Sequence, residues 1–335
     1  MSSYLVTGGT GALGQVMIRT LLADETTTRV VCLSRSEERQ RSMATEFGTD
    51  PRDRLRFFLG DVRDYPRMVR AMAGCDTVIH AAALKQIDAI EKDPAEAVKT
   101  NVTGTMNVCE AALDAGGVKR VVVVSSDKAT APSTMYGASK ACAERLAVNS
   151  NTYSGTNGPR FCAVRYGNVA NSTGSVIPVW RRQALAGRTL TLFGGQGDAG
   201  RMTRFWFDLA GAVGFVRDVL NRTKGGEVWI PRLPCFRIED LRQALCPTAG
   251  YEIKPPRPFE KLHEAMVSED EAPLTYDTGT HYAICPPIDG PLGNRVPEGA
   301  TRVADGFVYR SDGGPFLTVP ELRRLCEGIV GKAAA

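Results

Sequence analysis

Short apolar runs alternate with longer amphipathic stretches through the first half of the chain. The runs YLVT, RVVCL, RFFLG, TVIHAA, RVVVVSS and FCAVRY are separated by helical patterns over Ala12 to Ala23, Glu37 to Glu46, a long stretch after Asp93 and another around Tyr136. Runs so short and so rich in valine suit strands buried on both faces, with the amphipathic stretches as crossover helices. The pattern therefore predicts an α/β fold, a doubly wound parallel sheet covered on both sides. In DPAEAVKTNVTGTMNVCEAALDAGG, Asp93 is the expected N-cap, Pro94 the first helical residue and Glu96 the third, with Gly116-Gly117 closing one long helix. Beyond about residue 170 the pattern loosens into Gly- and Pro-rich connections such as LFGGQGDAGRM and CPPIDGPLGNRVPEG, with short helices at Arg237 to Cys246 and Pro320 to Ile329. A smaller, loop-rich C-terminal substrate-binding domain is expected over 171–335, after a cofactor-binding domain over 1–170 to which about 205–222 also contributes.

Composition narrows the picture without deciding it. The 335 residues are 43% hydrophobic with a net charge of +4, enough for a substantial core and too mild for a nucleic-acid surface. Nine scattered cysteines form no C-x-x-C pair, and three histidines stand far apart, so buried thiols in a reducing cytosol are expected and no metal site is. No apolar run approaches the roughly 20 residues of a bilayer span, so no membrane partner is expected and the location expected is cytoplasmic.

The first candidate for chemistry is YLVTGGTGALGQVMIRTLL, where Gly8, Gly11 and Gly14 fall between a strand and a helix. Glycines there allow a tight turn and close backbone approach to a pyrophosphate, and the helix N-terminus offers unpaired N–H groups, so Thr10, Ala12 and Leu13 join the binding turn of a Rossmann-type sheet. The second strand ends in Ser34-Arg35-Ser36, where a cofactor with a free ribose 2′-hydroxyl would meet an acidic residue. A hydroxyl and a guanidinium suit a 2′-phosphate, which favours NADP over NAD. Asp61 and Val62 in GDVRD are placed beside the adenine, and Ala81, Ala82 and Ala83 in HAAALK leave room for the cofactor against backbone, with Lys85 facing the pocket beyond.

The stretch SSDKATAPSTMYGASK, from Ser125 to Lys140, collects proton-handling groups between a strand and a helix. Tyr136 and Lys140 share one helix face. A free tyrosine titrates near pH 10, and a neighbouring ammonium would ease its ionisation, so Tyr136 can take a proton from a substrate hydroxyl while Lys140 tunes it.

With these motifs in place the chain resembles the extended short-chain dehydrogenase/reductase superfamily, and within it the inverting UDP-N-acetylglucosamine 4,6-dehydratases of the pseudaminic acid type. TGGTGALG, GDVRD, HAAALKQ, KTNVTGTMNV, SSDKA, YGASK, RYGNV, GSVIP, RMTRFW and RPFEKLHE carry the resemblance through nearly the whole chain. It implies NADP as cofactor, UDP-N-acetylglucosamine as substrate and a homo-oligomer. It also implies that Asp127 and Lys128 are catalytic beside Tyr136 and Lys140: Lys128, as a neutral amine, removes the C5 proton while protonated Asp127 donates to the departing 6-hydroxyl. Asn101, Ser125 and Val169 are placed at the cofactor by the same resemblance. Ser126, Asn168, Val176, Arg201, Arg204, Arg257 and Glu260 are placed with Lys85 at the nucleotide-sugar. Trp206 and Phe205 are read as core packing rather than as stacking partners for a base. Phe259 stands where relatives commonly carry a small residue. An epimerase or reductase, a dehydratase that retains C5 configuration, and an NADP sensor without activity on the same fold are the competing readings.

Overall fold

The computed structural model describes residues 2–170, 175–194, 202–256, 258–287 and 296–331. Six strands follow the apolar runs: β1 (Ser2–Thr7), β2 (Thr27–Ser34), β3 (Leu55–Leu59), β4 (Thr77–His80), β5 (Arg120–Val124) and β6 (Arg160–Val164). They lie parallel in the order β3-β2-β1-β4-β5-β6, and Val228–Pro231 continues the sheet parallel to β6. The sheet does not stay parallel to its end. His281–Ile284, Thr275–Asp277 and Thr301–Arg302 extend the same edge as antiparallel strands. These strands are two to four residues long, too short for a readable alternation.

The apolar runs face both ways, as continuous burial requires. Val6, Val30, Cys32, Ile79 and Val122 point into one core with Met17, Ile18 and Leu21 of α1 (Ala12–Ala23) and with Val216 and Val219 of the helix Leu209–Arg222. Their neighbours Leu5, Val31, Leu33, Val78, Val121 and Val123 point into the other core. There they meet α3 (Tyr65–Met72), α6 (Gly104–Asp114) and α7 (Met135–Tyr153); α2 (Glu37–Phe47), α4 (Ile87–Lys92) and α5 (Pro94–Ala97) complete the first half. A third apolar cluster, with Trp180, Leu192, Trp206, Phe236, Leu241 and Leu322, holds the C-terminal segments together. Phe205 and Trp206 are both buried, edge or tilted against Tyr309 and Phe236, so their packing role stands.

The long helix expected after Asp93 is present, running without a gap from Pro94 to Asp114, but it is not α-helical throughout. Asp93 makes no side-chain cap bond, α5 ends after one turn, and Val98–Thr103 forms a π-helical turn before α6 begins. Such turns rotate the residues around them and recur at functional sites. Eight of the nine cysteines are buried as expected, and Cys142 is exposed. Among the described residues no helix is long and apolar enough to cross a membrane.

One buried charge ties the halves together. Arg165, just after β6, bonds Glu144 of α7 at 2.6 Å and Glu271 at 2.8 Å, and also donates to Thr130 Oγ1 and the Met266 carbonyl.

Candidate active site

A cleft of 980 Å³ opens where the parallel strands end. Its lining includes Gly8, Thr10, Gly11, Ala12, Leu13 and Gly14 from the first turn, Ser34 and Arg35 after β2, Val62, and Ala81, Ala82, Ala83 and Lys85 after β4. Ser125, Ser126, Asp127, Lys128, Tyr136, Lys140, Asn168, Val169, Arg204 and Glu260 close the other side. Gly8 has φ +68°, and a Cβ there would lie 2.8 Å from the Ala82 nitrogen; a Cβ at Gly14 would lie 2.6 Å from the Gly8 carbonyl oxygen. Gly9, which the spacing argument passed over, is equally constrained, its would-be Cβ lying 2.6 Å from Cys32 Sγ. α1 starts at Gly11 with no side-chain cap, leaving its first N–H groups open to an anion. Ser125 Oγ is buried in the cleft wall with no hydrogen-bond partner among the described residues. A bare, donor-rich turn and an orphaned hydroxyl fit a dinucleotide.

Several expected contacts fall elsewhere. Asn101 is 1% exposed and committed: its amide accepts from Leu84 N at 2.8 Å and donates to Leu84 O and Ser139 Oγ. It braces the loop after β4 against α7 and does not line the cleft, because the π turn aims it inward. Asp61 is absent from the lining too, its carboxylate held by Arg63 at 2.7 Å and facing Arg35 at 3.6 Å. Val176 starts the helix Val176–Leu185 beside the cleft, and it is the preceding Ser175 that lines the wall. Ser34 Oγ already accepts from Gln40 Nε2 at 3.1 Å, while Arg39 joins Arg35 at the rim. Arg201, Arg257 and residues 195–200 of the GGQGDAG loop lie outside the described residues.

The stretch from Ser125 to Lys140 is shaped by local bonds. Ser126 caps the 3-10 turn Asp127–Ala129, its hydroxyl accepting from Lys128 N, and Thr134 caps α7 by accepting from Gly137 N at 3.0 Å. Gly137 lets that helix start directly over the turn, since a Cβ there would lie 2.3 Å from the Lys128 carbonyl oxygen. Gly137→Ala is expected to push the two apart, costing about 1–3 kcal/mol as overpacking does and lowering turnover more than stability. Thermal unfolding beside turnover measurements checks this, and a variant with unchanged turnover would contradict it.

The charges are not distributed as the motif alone suggests. Lys128 Nζ donates to Asp127 Oδ1 at 3.2 Å, Asn168 Oδ1 at 3.3 Å and Glu264 Oε1 at 3.3 Å. Burial disfavours its charge, but the carboxylates of Asp127 and Glu264 outweigh burial and hold it as an ammonium, contrary to the expectation of a neutral amine. Asp127 moves the expected way: burial raises its carboxyl above the ordinary range, and Glu264 adds to that against the pull of Lys128. Tyr136 is also raised, chiefly by burial, with Ser126 and the Lys128 charge acting in opposition. The cation that acts on the phenol is thus Lys128. Lys140 is instead brought down to about 8 by burial, and its Nζ donates to the Val124 carbonyl. Burial likewise lowers Lys85. Arg204 is buried beside Glu260 at 3.2 Å and Glu264 at 3.8 Å. Glu264 ends RPFEKLHE, a stretch in which only Arg257 and Glu260 were assigned roles, and it went unassigned because it approaches Lys128 across 136 residues of chain.

The strip before Glu264 is latched to the stretch from Ser125 to Lys140. Lys261 Nζ donates to the carbonyls of Thr130 at 2.9 Å and Ala131 at 2.8 Å, and Ser133 Oγ donates to the Phe259 carbonyl at 3.1 Å. Ala131 and Phe259 both hold left-handed backbone, at φ 42° and 65°, a conformation that costs a residue with a side chain. Phe259 is 60% exposed at the cleft.

This fold and cleft define a short-chain dehydrogenase/reductase type of nucleotide-sugar enzyme. The chain belongs to the family described as polysaccharide biosynthesis protein, whose model matches residues 4–286. It is 40% identical, over 94% of its length and 93% of the relative's, to the inverting UDP-N-acetylglucosamine 4,6-dehydratase of Campylobacter jejuni, which bears out the resemblance seen in the sequence. Among solved structures, Pen from Bacillus thuringiensis matches with a TM-score of 0.86 at 33% identity, covering 98% of both chains. DesIV from Streptomyces venezuelae, a dTDP-glucose 4,6-dehydratase with NAD bound, matches with a TM-score of 0.67 at 27% identity, over 78% of this chain and 86% of that one.

Proposed function

We propose that the protein dehydrates UDP-N-acetylglucosamine, oxidising C4, removing water across C5 and C6 and inverting C5, to give a UDP-2-acetamido-2,6-dideoxy-4-keto-hexose. The observation that carries the reading is the Asp127-Lys128 pair, a buried carboxyl on a half-buried ammonium, in the cleft with Tyr136, a pair that epimerisation at C4 does not need. When bound, a nicotinamide dinucleotide supplies the hydride exchange at C4 and C6. Tyr136 takes the proton of the 4-hydroxyl, and the resulting ketone acidifies C5. Lys128 removes the C5 proton after shedding one of its own, and Asp127 gives its proton to the departing 6-hydroxyl. Arg204 and Asn168 face the nucleotide-sugar, with Glu260, and the guanidinium suits a diphosphate. The segments up to about 170, with the helix Leu209–Arg222, are proposed to hold the cofactor and the remainder the substrate.

The experiment is incubation with UDP-N-acetylglucosamine followed by mass spectrometry and NMR. A product lighter by one water with C5 inverted supports the reading. An unchanged mass means epimerisation, and a lighter product with C5 retained means the retaining dehydratase.

NADP is proposed as the cofactor, supported by Arg35 and Arg39 at the rim after β2. Arg35→Ala is expected to weaken NADP binding about tenfold, or about 1.4 kcal/mol, and to leave NAD binding unchanged. Titration of both cofactors tests this. Equal affinity for the two in the parent protein would rule the preference out.

A further inference from the structure

Lys128 has three N–H donors and meets three acceptors, two of which are carboxylates. The reaction proposed above needs Asp127 protonated and Lys128 neutral, so a proton must leave the ammonium without going to Asp127. Asn168 offers an amide oxygen, which cannot keep a proton at neutral pH. That leaves Glu264.

The surroundings of the two carboxyls differ in a way that suits separate tasks. Glu264 is 4% exposed and lies between Lys128 Nζ at 3.3 Å and Arg204 Nε at 3.8 Å, with Lys261 also acting on it. Those cations hold it ionised against burial. Among the described residues Lys128 is the one cation in contact with Asp127, which also takes a hydrogen bond from Ser126 Oγ at 2.9 Å and faces the Glu264 charge. Tyr136 and Glu260, the latter on Arg204, complete the titratable ring. Of the two carboxyls, Asp127 is therefore the one whose surroundings favour a proton. Glu264 Oε2 is buried with no hydrogen-bond partner among the described residues, so the carboxyl has capacity for a proton. Its backbone is fixed, N–H donating to Ser311 Oγ at 3.0 Å and carbonyl accepting from Ser311 N at 2.8 Å.

We propose that Glu264 is a positioning residue that accepts the proton Lys128 must lose, so that Lys128 becomes an amine while Asp127 keeps its own proton. This rests on the dehydratase reading. One Lys128 Nζ–H bond breaks as an O–H bond forms on Glu264. Lys128 then takes the C5 proton, and Asp127 transfers its proton to the 6-hydroxyl as the C6–O bond breaks and water leaves. Lys128 next passes a proton to Asp127 and recovers one from Glu264. One proton has entered the cluster from C5 and one has left in water, so the three groups return to their starting state. C5 receives its new proton on the other face from a donor outside the cluster.

The test is Glu264→Gln, which keeps an oxygen for Lys128 to bond but cannot hold the proton, with Glu264→Asp beside it. In Glu264→Gln, C5 exchange with solvent deuterium and loss of water are expected to fall about 100-fold at neutral pH, with oxidation at C4 preserved. The residual rate should climb tenfold per pH unit, because Lys128 must then lose its proton to solvent, whereas the parent stays flat over the neutral range. Glu264→Asp should recover part of the rate. Removing a carboxylate that merely stabilises the ammonium would free the amine and speed exchange, so an exchange rate equal to or above the parent's overturns the proposal, as does an unshifted pH profile. Carbon-13 NMR of the carboxyls in the substrate-free protein, assigned with Asp127→Asn and Glu264→Gln, gives a reading independent of turnover. Asp127 is expected protonated and Glu264 ionised at neutral pH, and Asp127 ionised there would overturn the relay even if no nucleotide-sugar proved to be a substrate.

Discussion

Lys128→Ala is expected to stop the reaction after the C4 oxidation. With no amine at C5, exchange of that proton and loss of water should drop by a factor on the order of 10²–10⁴, the usual contribution of a general base. Cofactor binding should persist, because Lys128 belongs to the 3-10 turn beyond β5 and the glycine turn lies on the other side of the cleft. A single turnover should therefore show a reduced nicotinamide that does not reoxidise, together with a substrate that keeps its C5 hydrogen in deuterated water. Lys128→Arg sharpens the outcome. It preserves the charge between Asp127 and Glu264 but cannot deliver a neutral base, so it should fail at the same step. Full deuterium incorporation in either variant would remove Lys128 from the base role.

The largest effect on stability is expected at Arg165. Its guanidinium answers Glu144 and Glu271, and the side chains of Arg165 and Glu144 are nearly inaccessible to solvent. Arg165→Leu would strand both carboxylates, a loss of about 3–5 kcal/mol for breaking a buried pair. Burial raises Glu271 and the hydrogen bond from Arg165 more than offsets it, so the variant also lets that carboxyl titrate higher. Unfolding of the variant should then grow more unfavourable as the pH falls toward the carboxylate range, because the stranded groups take up protons in the folded state first and the deficit against the parent narrows. Denaturant titration at two pH values reads both effects. A stability equal to the parent's would show that the ion pairs only break even.

The first half of the fold was legible because its strands are buried on both faces. Leu5 and Val6, or Val121 and Val122, serve opposite cores, and that demand writes uninterrupted apolar runs into the sequence. The antiparallel edge was not legible, since strands such as Thr301–Arg302 are set by pairing with Tyr276 and Asp277 rather than by any pattern of their own. Capping chemistry placed a long helix after Asp93, where one begins, but the π turn inside it is a matter of register that propensity does not record. At the site, spacing pointed to Tyr136 and Lys140 and the family resemblance to Asp127 and Lys128, and all four line one cleft. Neither could supply their surroundings, because burial and Glu264 both bear on the charges there and both arise from tertiary packing.

The latch at Lys261 bears on how this catalyst could be taken apart. Everything between Thr130 and Lys261 is a loop of chain returned to its own starting point, closed by an ammonium on two carbonyls. Within ten residues after that closure come Glu264, which faces Lys128, and Glu271, which answers Arg165. A protein cut before this strip would keep the dinucleotide turn and the Tyr136-Lys140 helix in its sequence, yet lose the groups that orient and charge the dehydration pair. The redox motif is portable in sequence, whereas the capacity to expel water belongs to the closed loop as a whole.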